Sequence, residues 1–294
     1  MPKRPWHRLP TPLALIKLTR FRDRLRQDNL HDTAQLPHND PVTIPEPAAD
    51  GSHVTFRTAN GSFNDLDHPE MGMAGTRFGR NVPVSATHVD ATKLMTPNPR
   101  VISRTLMTRD EFIPATSLNV LAAAWIQFQN HGWFNHGANK PDDKLEIPLP
   151  EGDDWPEEHR PMVVGKTIDD PTRVEGDTTT PPTFINTVSH WWDGSQVYGS
   201  SQEELDQLRS HADGKLRMDE NGLLPLDIDG GIEQTGFNDN WWFGLSLLHT
   251  LFAKEHNLLC DHLKQQHPDW NDEWLFGHAR LINAALMAKI HTVE

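Results

Sequence analysis

The 294-residue chain has one cysteine (Cys260), one tyrosine (Tyr198) and little uninterrupted apolar sequence. A single thiol excludes an internal disulfide framework and suits a reducing compartment. No uncharged apolar run approaches the ~18 residues that a transmembrane helix needs. The basic opening, MPKRPWHRLPTPLALIKLTRFRDRLRQ, holds only a short apolar stretch, Leu13 to Ile16. No small-residue cleavage site follows, so a secretory signal is not expected. Positive charge is scarce too: 27 Lys/Arg face 41 Asp/Glu, a formal net charge of −14 that argues against a nucleic-acid partner. Gly-x-Ser-x-Gly, phosphate-loop and His-Glu-x-x-His patterns are missing, which leaves serine hydrolase, nucleotide and zincin chemistry without a foothold.

The charge that is present is uneven. Residues 1–27 hold eight Lys/Arg and one Asp, a net of +7, which leaves −21 on the remainder. With Leu13, Leu15, Ile16, Leu18 and Phe21, this head could lie on an anionic membrane surface, or form a solvated helix docked on the acidic body. The expected localisation is therefore cytoplasmic or peripheral to a membrane. Residues 28–50 are rich in Pro, Asp and Asn and read as an extended arm. The division expected is a head and arm over 1–50 and a catalytic-type region over 51–294.

Helical patterns occupy the second half. Start signals at Pro114, Thr116 and Ser117 precede LNVLAAAWIQFQNH, which is apolar at helical spacing. SSQEELDQLRS carries a Ser followed three residues on by Glu, a capping box. WWFGLSLLHTLFAKEHNLLCDHLKQQ is a long amphipathic helix ending near Pro268, and a last one starts from Asn271 or Asp272. Residues 56–83 and 138–180 read as long loops, and no strand pattern stands out. The expected fold is mainly α with long ordered loops.

On the first helix, Ala124, Gln127, Phe128 and His131 share a face. Ala124 and Gly132 leave room beside the imidazole for a flat body. A neutral imidazole there can shuttle a proton to and from peroxide or dioxygen, with Gln127 one turn before it to steer a small polar ligand or water. On the helix alone, the same pattern more often describes a hydrogen-bonded core histidine. In SHWWDGS, the side chains of Ser189, Asp193 and Ser195 and the carbonyl of Trp191 offer closely spaced oxygens, which suit a hard cation such as calcium or, alternatively, an Asx-type turn. His256 and Cys260 are four apart but lack a matching second pair for zinc, so burial is expected. A metal-dependent hydrolase built on His131, His136 and the acidic loops is a distant third reading.

Four stretches, NGSFNDLDHPEMGMAGTRFGRN, LAAAWIQFQNHGWFNH, INTVSHWWDGSQVYGSS and GLSLLHTLFAKEHNLLCDHL, together resemble the animal haem peroxidase superfamily, and within it the alpha-dioxygenase-like, fatty-acid-oxygenating branch. The resemblance runs from about residue 55 to the end. It implies a haem peroxidase-like helical domain incomplete at its C-terminus, with His131 as the distal haem histidine and Gln127 beside it as the cofactor-side glutamine. It implies further that Ser189, Trp191, Asp193 and Ser195 form a calcium loop, Ser189 standing where threonine is usual. The residue after the distal histidine is normally a calcium-binding aspartate; here it is Gly132, which weakens that site. Asn130 and Trp241 stand about where mammalian members attach the haem covalently, so no such link is expected. The family arginine expected near Asn238 is missing from GFNDNWW. The proximal haem-ligating histidine, and the tyrosine three residues before it, belong to a later helix than AKIHTVE. The activity implied is oxygenation of a fatty acid by dioxygen through a haem-generated radical. The alternative is a non-catalytic fragment that binds calcium, lipid or a partner.

Overall fold

Two long helices form the frame because their apolar residues recur at helical spacing over more than twenty positions. A computed structural model describes residues 8–29, 42–79, 93–179, 181–227 and 231–293. In chain order the helices are α1 (Thr11–Asn29), α2 (Ser52–Thr55), α3 (Pro99–Met107), α4 (Val120–His131), α5 (Ser195–Tyr198), α6 (Gln202–Leu208), α7 (Phe243–Gln266) and α8 (Asp272–Val293). One antiparallel pair, β1 (Asn139–Glu146) and β2 (Val163–Thr167), lies between α4 and α5 in sequence. Much of the Pro-rich arm read over 28–50 lies outside the described residues.

α7 packs against both α4 and α8, and the core sits where the three meet. Phe128 of α4 stacks on Phe252 of α7 with centroids 5.3 Å apart. Tyr198, Leu245, Phe276 and Met287 complete the buried cluster. A smaller cluster of Cys260, Leu263, Leu275 and Ala279 joins the far ends of α7 and α8. Each fully buried large apolar side chain contributes roughly 1.5–3 kcal/mol relative to exposure.

Caps set the helix limits. The Asn119 side chain accepts from Leu121 N at 3.0 Å, so α4 starts later than the proline and threonine signals suggested. Ser201 and Glu204 make the expected reciprocal capping box on α6. For α8 the cap is Asn271, whose Oδ1 accepts from Trp274 N at 3.0 Å. Asp272 and Glu273 in the first turn favour the helix dipole and also grip Arg209.

Two expectations change. The loop read over 138–180 contains the β1–β2 hairpin, with Leu145 opposite Val164 and Glu146 opposite Val163. Its strands are largely exposed, so no apolar alternation marks them; Lys166–Asp143 and Lys140–Asp169 ion pairs at 2.5 and 2.7 Å span it instead. The sequence also hides α3, capped by Asn98, whose side chain accepts from Arg100 N and Val101 N. Among the described residues α1 packs against no other helix or strand, and Leu13, Leu15, Ile16, Phe21 and Leu25 are exposed. No helix among the described residues is long and apolar enough to cross a membrane.

Candidate functional site

His131 is the last residue of α4, which puts its ring at the helix end over the 231–242 segment. Ala124 and Phe128, seven and three residues earlier, are fully buried, so the helix turns this face inward and carries the imidazole with it. His131 is only 9% exposed, and the Phe237 ring meets it edge-on at 4.7 Å. Its Nδ1 is buried and has no hydrogen-bond partner. Burial, then the neighbouring His249, pull its pKa below the ordinary histidine value; the Phe237 backbone and Asp239 carboxylate oppose that fall. The imidazole is therefore neutral at pH 7.

Gln127 is not free beside it. Its carbonyl accepts from Trp242 Nε1 at 2.7 Å and its amide donates to the Asn240 carbonyl at 3.2 Å. The side chain fastens the 240–242 segment to α4, rather than pointing at an open space. The room that Ala124 and Gly132 were expected to leave is also occupied. Ala124 lies in the core cluster, and a Cβ on Gly132 would collide with the Gln196 side-chain amide.

The sequence-predicted oxygen loop does come together. Ser189, Asp193 and Ser195 are completely buried. The Ser189 hydroxyl donates to Asp193 Oδ2 at 2.6 Å, and Ser195 N donates to Oδ1 at 3.1 Å. The Trp191 carbonyl accepts from Asp193 N at 2.8 Å. Ser195 Oγ ties the loop to α4 through the Gly132 carbonyl at 3.3 Å. Behind it lies Arg280, 1% exposed, whose Nε donates to the Asp193 carbonyl and whose Nη2 is 3.8 Å from Asp193 Oδ2. Burial raises the Asp193 pKa against the opposing pull of Arg280.

Residues 56–294 match the animal haem peroxidase family. The chain belongs to that family. It is 34% identical to the alpha-dioxygenase PIOX of Oryza sativa over 98% of its length and 44% of that protein's. It is 36% identical to alpha-dioxygenase 1 of Arabidopsis thaliana over 99% of its length and 43% of that protein's. The crystal structure of the Arabidopsis thaliana fatty acid alpha-dioxygenase superposes with a TM-score of 0.80, at 35% identity, covering 99% of this chain and 43% of that one. The chain thus spans less than half the length of the curated relatives it matches.

A haem peroxidase needs a distal histidine that is sheltered, neutral and keeps a nitrogen uncommitted. His131, with its orphaned Nδ1, fits that requirement. Calcium is different, since it takes six to eight oxygens, several of them carboxylate. Here Asp193 is the one carboxylate in the set, its oxygens already accept bonds, a guanidinium stands behind it, and Gln196 fills the place of a side chain at 132. The residues do not fit a calcium ion.

Other sequence candidates separate. His136 is exposed while His131 is buried, and among the described residues no group of three His, Cys, Asp or Glu side chains has metal-site spacing. Cys260 is buried, its thiol pKa pushed up to about 12 by burial. Sequence reasoning missed His249, Glu233 and Arg280. The signals were a histidine on the apolar face of α7 and an arginine amid apolar residues of α8; Glu233, in an isolated β-bridge to Leu226, gave none.

Proposed function

We propose that this chain supplies the distal, proton-handling side of a haem-dependent oxygenation of fatty acids. The observation that carries the reading is the sheltered imidazole of His131 with Nδ1 unpartnered, at the position where the family's distal histidine is expected. The likeness to alpha-dioxygenases supports the substrate class, as does the similarity, at TM-score 0.79 and 34% identity, to a rice fatty acid alpha-dioxygenase with palmitic acid.

Haem, when bound, supplies the one-electron oxidising power and the iron at which dioxygen or peroxide reacts. The chain's own contribution is local. His131, held neutral by burial, accepts a proton at its unpartnered nitrogen and returns it. Phe237 and the core side chains keep water from the ring. Gln127 is a positioning residue: it locks Trp242 and Asn240 and so fixes the segment that carries Phe237 and Asp239. Among the described residues the carboxylate of Asp239, not a cation, is the charged group felt by His131 beside His249, which gives peroxide heterolysis no electrostatic help. That favours oxygenation over halide-type peroxidase chemistry.

Reconstitution with hemin tests the reading. A Soret band that shifts in His131→Ala supports it; hemin binding indifferent to that substitution overturns the role of His131. The Asp239 neighbour and the altered cation loop favour one second reading, a non-catalytic protein that binds a lipid or protein partner. Absence of any hemin binding by the folded chain would select it. For α1, the exposed apolar side chains beside Arg20 and Arg22 suit an anionic lipid surface, which flotation with phosphatidylserine vesicles tests.

A further inference from the structure

Buried polar atoms without partners cost free energy, roughly 1–3 kcal/mol each, so a cluster of them calls for an explanation. Four belong to three side chains of α4, α7 and the 231–242 segment. They are His131 Nδ1, both ring nitrogens of His249, and Glu233 Oε1. His249 is completely buried on α7, in ring contact with Phe128 of α4 at 5.3 Å. Glu233, 6% exposed, places Oε1 3.6 Å from His249 Nδ1. Its other oxygen accepts from Trp241 Nε1 at 2.6 Å, and Asn238 Nδ2 donates to its carbonyl at 2.7 Å, so the carboxylate is aimed rather than loose.

We propose that Glu233 and His249 form a buried acid–base pair that governs the protonation of His131, in a site whose expected arginine is missing. This rests on the reading of His131 as the proton-handling residue. The two are sixteen positions apart in sequence and meet because the 231–242 turn folds back onto α7. Glu233 is the carboxylate facing His249; His131 in turn faces His249 from α7 and Asp239 from the turn. A proton on His249 is matched by Glu233 but opposes a proton on His131, so the pair sets the pH below which His131 ceases to be an available base. Burial lowers the pKa of His249 and Glu233 opposes that fall, which keeps the pair neutral-plus-anionic near pH 7. Both are positioning residues: neither touches a reacting atom.

The test is a histidine titration by carbon-13 NMR on the full chain, without haem, comparing wild type, His249→Gln and Glu233→Gln, with His131→Ala to assign the His131 signal. Circular dichroism confirms that each variant folds. His249→Gln should raise the His131 midpoint, because an opposing charge is removed. Glu233→Gln should lower the His249 midpoint, because its counter-charge is lost. A folded His249→Gln whose His131 midpoint is unchanged overturns the proposal; should that variant fail to fold, an unchanged His249 midpoint in Glu233→Gln does so. Coupled titration in a chain that binds no hemin would sink the oxygenation reading alone, whereas hemin binding with uncoupled histidines would sink this pair alone.

Discussion

The hydroxyl of Tyr198 lies 2.9 Å from Nδ1 of His256, and both side chains are completely buried. His256 Nε2 is 2.9 Å from the Gly214 carbonyl, which can only accept. The imidazole proton therefore sits on Nε2, and Nδ1 accepts from the tyrosine, whose oxygen also receives Asn283 Nδ2 at 2.8 Å. Gly214 has φ +75°, and a Cβ there would meet the Phe276 backbone nitrogen at 2.5 Å, so the residue that supplies the carbonyl has to be glycine. Replacing Tyr198 by Phe leaves Nδ1 of His256 unpaired and the Asn283 amide with its bond to the Phe252 carbonyl alone. Chemical denaturation should show a loss of about 1–3 kcal/mol, and an unaltered midpoint would mean that the hydroxyl contributes nothing.

Tyr198 is the one tyrosine, so the phenolate rise in absorbance near 295 nm at alkaline pH reports it, above the constant absorbance of the tryptophans. Burial raises its pKa well above the ordinary phenol value. A raised native pKa means stability that is whole below the unfolded value of about 10 and is lost as pH rises toward the native one. In the folded chain phenolate should stay absent at pH 10 and appear only together with the loss of helical circular dichroism. Smooth ionisation around 10 in folded protein would contradict the burial.

The acid side has the opposite sign. Burial pulls His256 down to about 4, and lowers His249 as well. For depressed native values, stability is complete above the unfolded pKa of about 6.5 and falls as pH drops toward about 4. The midpoint of thermal unfolding should decline across that window, and His256→Gln, which removes one of these titrations, should flatten the decline even if it lowers the midpoint at pH 7.

The loop at 189–195 should be indifferent to calcium. EGTA should leave the thermal midpoint of the wild-type chain unchanged. Gly132→Asp by itself should destabilise, because Gln196 stands in the way. Pairing it with Gln196→Ala opens that place and adds a second carboxylate beside Asp193, so calcium should then raise the midpoint. A calcium-dependent midpoint in the wild type would refute the mismatch described for these ligands.

Ser201→Ala should cost α6 about 1 kcal/mol by removing a cap whose hydroxyl accepts from Glu204 N at 3.2 Å. Ser201→Asp, which keeps an acceptor, should recover most of it. Equal losses from both would show that the cap is not what holds this turn.

Much of the helical frame was legible. The run from Val120 to His131, the box at Ser201 and Glu204, and the start of α8 at Asn271 follow from spacing and capping, which act within a few residues. So did the burial of Cys260 and the gathering of Ser189, Asp193 and Ser195, which one tight turn enforces. The hairpin was not legible, because its strands are held by backbone bonds and Lys–Asp pairs that leave no apolar alternation. Nor was the engagement of Gln127, since its partners Asn240 and Trp242 lie more than a hundred residues on.

The chain by itself determined the helices α4, α6, α7 and α8, the apolar face of α4, and that position 132 carries no carboxylate, since these depend on near neighbours and on side-chain identity. Only the tertiary structure decided what surrounds His131. Contacts that join Gln196 to the end of α4 and Arg280 to Asp193 span long stretches of chain, that of Glu233 with α7 spans sixteen positions across a fold-back, and all three distances exist only once the helices have packed.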